Sequence, residues 1–239
     1  INRLSDNPLR AIVPMHTFGH PVDLDPLLKV CADFDIPVVE DAAESLGSFY
    51  KGYHTGNFGR LGILSFNGNK TITTGGGGAI LTNDEDLGDK AKHLTTTAKV
   101  QHKWEYYHDS VGYNYRMPNI NAALGCAQME ELSEFIQRKR ELAKRYEQVF
   151  VDVKGVTFFV EPEWARSNYW FNTLILDPEK AAYRDEIMEA TNEAGFMTRP
   201  AWTLMHRLPM FIDCPRMDLS VAEDLEKRII NIPSSPSLI

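Results

Sequence analysis

Leu64-Ser65-Phe66-Asn67-Gly68-Asn69-Lys70-Thr71-Ile72-Thr73-Thr74 runs into four consecutive glycines, Gly75–Gly78, and its reading decides the fold. Gly62–Phe66 is a β-type run that ends in Asn-Gly-Asn, residues that tolerate turn conformations. The lysine follows, and the glycines precede a second strand over Ala79–Thr82. A lysine at a strand end beside glycine-rich backbone is placed to meet a ligand. Taken alone, the same pattern suits an exposed turn lysine better, and it is the flanking sequence that shifts the balance.

Upstream, Ala11-Ile12-Val13-Pro14-Met15 reads as a short buried strand. Asp23 is placed to cap a helix over Leu24–Phe34, in which Leu27, Leu28, Val30 and Cys31 recur at helical spacing. Asp35-Ile36-Pro37 breaks that helix, and Val38-Val39 starts a strand ending at Glu40-Asp41. A strand–helix–strand unit predicts a parallel sheet and an α/β fold. Ligands of such sheets sit at the carboxyl ends of the strands, where Asp41 and the Ser65–Lys70 stretch would both lie.

Downstream, Gly56–Gly59 is a loop, Asp84–Leu94 reads as a helix, and Gln101–Tyr115 is polar and aromatic with no clear period. Pro118 opens a long helical region that reaches about Phe150. Strands over Val156–Val160 and Tyr169–Leu176 follow, then helices over Ala181–Ala194 and Val221–Arg228. The change of pattern predicts a domain boundary near 150, dividing the chain into 1–150 and 151–239.

The 239 residues fit one large or two ordinary domains. A hydrophobic content of 43% and a charged content of 24% are those of a globular protein. The net charge of −8 argues against general nucleic-acid or anionic-membrane binding, while leaving room for a small anion held by local groups. Cys31, Cys126 and Cys214 are odd in number and lack zinc-type spacing, so reduced thiols in the cytoplasm are expected. No apolar run approaches the roughly 20 residues of a membrane span. The chain opens Ile1-Asn2-Arg3 without Met or a signal peptide, which reads as a fragment.

Gly75–Gly78 matches neither a P-loop nor a dinucleotide fingerprint, which disfavours a nicotinamide-dependent dehydrogenase. His16 and His20 are four apart, but Gly19 interrupts any helix and no metal-binding motif is present, so no metal is expected.

Three stretches go beyond generic α/β: Val39-Glu40-Asp41-Ala42-Ala43-Glu44-Ser45-Leu46-Gly47, Ser65-Phe66-Asn67-Gly68-Asn69-Lys70 and Gly112-Tyr113-Asn114-Tyr115-Arg116-Met117. With Thr198-Arg199-Pro200 and Ile232-Pro233-Ser234-Ser235, their order resembles the DegT-type sugar-nucleotide aminotransferases, pyridoxal-phosphate enzymes of fold type I. Within that family the chain is most similar to members that make 4-amino-4,6-dideoxy sugars on UDP, because of Ser-Phe-Asn-Gly-Asn-Lys and Glu44. The resemblance implies a three-layer large domain over 1–150, incomplete at its amino end, and a smaller α/β carboxy-terminal domain over 151–239.

The resemblance also implies roles. Lys70 would be the catalytic Schiff-base lysine and proton carrier, and Asp41 the carboxylate at the pyridine nitrogen. Glu44 would contact the cofactor's ring oxygen, Ser65 its phosphate, and Asn114 the phosphate of a neighbouring subunit's cofactor, giving a homodimer with shared active sites. Each has a plainer reading: Asp41 as a helix cap, Glu44 as an exposed carboxylate, Ser65 as a strand serine, Asn114 as part of a turn. Arg116 would support its loop or meet substrate, and His16 matches a position near the cofactor pocket. Arg199, Trp202 and His206 would wall the sugar-nucleotide site, although core packing suits Trp202 as well.

The implied reaction moves an amino group, from L-glutamate, to the 4-keto carbon of a UDP-linked 4-keto-6-deoxy sugar, in surface-glycan synthesis. A dehydratase of the same fold is the first rival, and Lys70 argues against it because that activity replaces the lysine. A non-catalytic scaffold is the second. Against the family the chain is short at the amino end, so weak cofactor binding and poor catalysis are expected of the polypeptide as written.

Overall fold

The computed structural model describes residues 8–239; Ile1-Asn2-Arg3 lies outside them. The elements begin with α1 (Leu24–Asp33), β1 (Val39–Asp41), β2 (Phe49–Tyr50), β3 (Tyr53–His54), β4 (Leu61–Ser65) and β5 (Gly78–Leu81). They continue with α2 (Glu85–Thr95), β6 (Lys99–Val100), β7 (Tyr107–His108), α3 (Asn119–Phe150), β8 (Val156–Phe158) and β9 (Ala165–Arg166). The last are β10 (Asn172–Leu176), α4 (Arg184–Glu193), β11 (Arg199–Pro200), α5 (Ser220–Glu226) and β12 (Ile229–Ile232). By packing, Arg10–Phe135 and Trp164–Asn168 form one compact unit, and Ile136–Glu163 and Tyr169–Ile239 another.

In the first unit β1 pairs in parallel with β4, and β4 antiparallel with β5. The register sets Asp41 beside Ile63 and Ser65 beside Gly78, so the carboxyl ends of β1 and β4 lie next to each other. Ala11–Met15 is not the buried strand that its apolar residues predict. It forms isolated parallel bridges, Ile12 to Val38 and Met15 to Asp41, and Val13 and Met15 are exposed. Pro14 has no N–H to give to a ladder, although its carbonyl still accepts from Asp41 N at 2.9 Å.

Asp23 precedes α1 as expected, but its carboxylate does not cap the helix. It accepts instead from the hydroxyl of the fully buried Tyr50 at 2.8 Å, and that hydroxyl accepts from Asp25 N in the first turn at 3.1 Å. Tyr50 therefore relays the cap from β2, which pairs with β3 and β9. Asp84 does cap α2 directly, accepting from Leu87 N at 3.0 Å. Within the aperiodic 101–115 stretch, β7 folds back on β6 as a short hairpin.

Glycine is required where the 56–59 loop crosses β4: a Cβ on Gly62 would sit 2.1 Å from the Gly56 carbonyl oxygen. That approach holds the loop against the strand leading to Lys70.

The second unit is built on an antiparallel sheet in the order β11-β12-β10-β8. Phe158, Tyr169, Leu174, Leu176 and Ile230 form its core with Ala143 of α3. Burial of this apolar surface is the main force holding the unit together. Lys139 is buried on α3 and donates to the carbonyls of Trp170 and Ser234. Burial pulls its ammonium down to about 8. Among the described residues, no helix is long and apolar enough to cross a membrane.

Candidate active site

Strand alternation assigns opposite jobs to the two acids that end β1. Successive side chains point to opposite faces, so Glu40 is fully buried while Asp41 is half-buried. Oε1 of Glu40 accepts from Phe58 N at 2.6 Å and Gly59 N at 2.7 Å. Oε2 accepts from Gly56 N at 2.8 Å and pairs with His16 Nε2 at 3.0 Å. Val22 N donates to His16 Nδ1 at 3.1 Å, which leaves the ring proton on Nε2, facing Glu40. Burial pushes the Glu40 carboxyl up, but His16 and the three backbone donors outweigh it and hold the carboxyl below the usual range. Glu40 thus fixes the end of β1 from behind, and His16 is structural.

Asp41 Oδ1 accepts from Ala43 N at 3.1 Å, which orients the carboxylate at the strand end. Three residues on, Glu44 is buried. Its Oε2 accepts from Phe18 N at 2.8 Å, and Phe18 holds φ 58 beside Gly19 at φ 92. A left-handed phenylalanine is strained, and this hydrogen bond is one of the contacts that hold it.

Lys70 follows the turn closed by Lys70 N donating to Asn67 O at 3.0 Å. Its Nζ lies 3.7 Å from Glu44 Oε1, with the lysine side chain 14% exposed and the glutamate 9%. Burial raises the Glu44 carboxyl above its ordinary value; the Phe18 amide and the Lys70 charge oppose this, and the Asp41 charge adds to it. Asp41, Glu44 and Lys70 therefore share one electrostatic neighbourhood. Ser65, at the end of β4, accepts from Asn67 N at 3.3 Å through its hydroxyl.

Linkage gives the sign of a pH effect here. A carboxyl raised in the folded state contributes stability that is present below its unfolded value of about 4.5 and lost as pH rises through the folded value. Glu44→Gln keeps an oxygen for Phe18 N and removes the charge. We expect it to raise the melting temperature at pH 8 relative to wild type and to leave it nearly unchanged at pH 4. Thermal melts at both values check this, and equal shifts at both would refute it.

Asn114 is exposed, in a stretch bridged to Thr96 at the end of α2. Arg199, Trp202 and His206 belong to the second compact unit. Arg199 donates to Asn192 Oδ1 at 3.0 Å and to the Thr198 carbonyl at 2.8 Å. Trp202 stacks near-parallel on Trp170 at 6.2 Å, and His206 Nε2 pairs with Glu223 at 2.9 Å. Each is engaged within its own unit.

Two residues of the Lys70 neighbourhood carried no sequence signal of their own. Glu40 was legible only through the period of β1. Asn168, fully buried, contacts the Glu44 turn from 124 positions away.

The sequence profile of the DegT/DnrJ/EryC1/StrS aminotransferase family matches residues 1–239. GDP-perosamine synthase of Escherichia coli is 39% identical over 232 residues, covering 97% of this chain and 62% of that protein. The solved aminotransferase TlmJ of Streptoalloteichus hindustanus superposes with a TM-score of 0.90 at 28% identity, over 96% of this chain and 62% of that one. Helicobacter pylori PseC, an aminotransferase involved in the biosynthesis of pseudoaminic acid, gives 0.91 at 24% identity, over 96% and 62%. At that identity the likeness shows the shared fold alone. The chain spans about 62% of the length of these relatives. A profile match along the whole sequence, on a fold shared with solved aminotransferases, places the chain in the DegT/DnrJ/EryC1/StrS aminotransferase family, whose cofactor is pyridoxal 5'-phosphate.

Proposed function

We propose that the protein is a sugar-nucleotide aminotransferase that moves an amino group from L-glutamate to the 4-keto carbon of a nucleotide-linked 4-keto-6-deoxy sugar. The observation that carries this reading is the Lys70 amine, 3.7 Å from the buried Glu44 carboxyl, in a neighbourhood shared with Asp41. The donor set fits pyridoxal phosphate: a nucleophilic amine, an oriented strand-end carboxylate, a second carboxyl biased towards its protonated form, and a hydroxyl at the adjacent strand end. Bound there, the cofactor supplies an electron sink for breaking a bond at the amino carbon.

The chain's own groups do the rest. Lys70 Nζ would hold the cofactor and, as a free amine, would serve as the base and acid that moves the proton. Asp41 would face the pyridine nitrogen and keep it protonated. Glu44 would contact the ring oxygen, and Ser65 Oγ would donate to the phosphate. We assign Asn114 to the phosphate of a neighbouring copy, in a homodimer. Arg199, Trp202 and His206 are assigned to the nucleotide sugar, because a cation and an aromatic ring suit a diphosphate and a base. In this reading the cofactor-holding residues all precede 150 and the smaller domain follows it. Three free cysteines fit a cytoplasmic enzyme.

Two nucleotides compete for the site. The Ser65–Lys70 motif with Glu44 favours UDP, and the perosamine synthase relative favours GDP. Incubation with nitrogen-labelled L-glutamate and each 4-keto sugar, read by mass spectrometry, should show label on one of the two sugars. Label on neither, from protein whose borohydride-reduced aliquot carries a pyridoxyl group on Lys70, would refute the amino transfer. No trapped cofactor would favour the scaffold.

A further inference from the structure

Asn168 belongs to a five-residue strap, Trp164–Asn168, that lies late in the sequence yet packs in the unit holding Lys70. The strap is anchored along its length. Ala165 and Arg166 pair with Tyr50 and Phe49 through β9 and β2. Ser167 Oγ donates to the Gly19 carbonyl at 3.0 Å, an acceptor shared with Ser48 Oγ at 2.7 Å. Asn168 N then donates to Ser48 Oγ at 2.9 Å.

The side chain completes the arrangement. Asn168 is fully buried, and its Nδ2 donates to the Glu44 carbonyl at 2.8 Å, the Leu46 carbonyl at 2.9 Å and Thr71 Oγ1 at 3.3 Å. One amide nitrogen has two hydrogens, so the two short bonds hold the 44–46 turn and the longer one shares a hydrogen. The acceptors come from two loops: the turn that carries Glu44, and the residue directly after Lys70.

We propose that Asn168 is a positioning residue whose amide clamps the Glu44 turn to the Lys70 turn and thereby sets the separation between the amine and the carboxyl. This rests on the reading of Lys70 as the cofactor lysine. Without the amide, the buried Glu44 carbonyl and the part-buried Leu46 carbonyl lose this donor, and the turn moves to find replacements. Such a movement changes how Glu44 faces Lys70 while leaving both residues in place.

The test compares full-length wild type with Asn168→Ala and the isosteric Asn168→Asp, which replaces the donor nitrogen with an acceptor. Melting curves establish folding. In protein freed of cofactor, competitive acetylation of Lys70 against the exposed Lys103 should change by about threefold or more in either variant, as expected when a partly buried ion pair is loosened. Pyridoxyl incorporation on Lys70 at limiting cofactor, fixed by borohydride, should fall by about tenfold, the usual scale for a lost supporting contact.

In Asn168→Asp the deficit should shrink as pH falls from 8 to 5, because the buried carboxyl takes up a proton and again donates to a carbonyl. Folded variants that match wild type within twofold in both readouts would overturn the proposal, as would loss of folding in both. If wild type takes no pyridoxyl group on Lys70, the cofactor reading itself falls. A wild-type adduct with unaffected variants removes only the role of Asn168.

Discussion

Replacing Lys70 with alanine should lower amino transfer by at least about 10⁴-fold and remove the pyridoxyl mass that borohydride fixes on the wild-type peptide. The size follows from the two tasks that converge on one atom. In the proposed mechanism Nζ would be both the attachment point and the carrier of the migrating proton, and it is the amine that faces Glu44. The fold should tolerate the change, because the side chain sits at a turn whose backbone bond to Asn67 does not involve it. Lys70→Arg sharpens the test. Arginine keeps a positive charge opposite Glu44 but stays protonated, so it neither attaches the cofactor nor moves the proton. Both variants should be equally inactive while melting close to wild type. If Lys70→Arg kept a tenth of the activity, the charge beside Glu44 would be the functional property, and Lys70 would not be the reacting amine.

The parts of this site that were readable in the sequence are those whose cause is local. The apolar spacing of α1, the break at Asp35-Ile36-Pro37 and the run into Asp41 announce a strand–helix–strand unit; across α1 only isolated parallel bridges, Ile12 to Val38 and Met15 to Asp41, realise it, and the parallel ladder is β1 beside β4. Asp41 and Ser65 fall at strand ends for the same reason, and Lys70 falls on the turn beyond β4. Legibility fails where a distant group outcompetes a local one. Asp23 has the right type and place for a cap, yet the Tyr50 hydroxyl, 27 residues later, takes both the carboxylate and the helix N–H. Asn168 looks like the approach to a strand, and only the return of its strap reveals what its amide holds. β12 escaped because Ile229–Ile232, a good β run, follows directly on α5 and a short apolar segment offers no period to judge. Glu40 could have been found: two adjacent acids at the end of a half-buried strand cannot face the same side.

That buried acid carries the second large expectation. Glu40→Ala should destabilise the protein by about 4 kcal/mol, because it strands three buried or part-buried backbone N–H groups and the His16 ring N–H. For a chain of this length that corresponds to a fall in melting temperature of roughly 10 °C. Glu40→Gln keeps the shape but turns an NH₂ towards donors at one of the two oxygen positions, so about half the loss should remain. The pH dependence separates this account from simple cavity formation. A carboxyl held low in the folded state contributes stability that is present above its unfolded value of about 4.5 and lost as pH falls through the folded value. Wild type should therefore lose stability on acidification faster than Glu40→Ala, and the gap between their melting temperatures should narrow below pH 4.5. A gap that stays constant from pH 7 to about pH 3 would mean that Glu40 acts through its volume, and its carboxylate would no longer explain how the end of β1 is held.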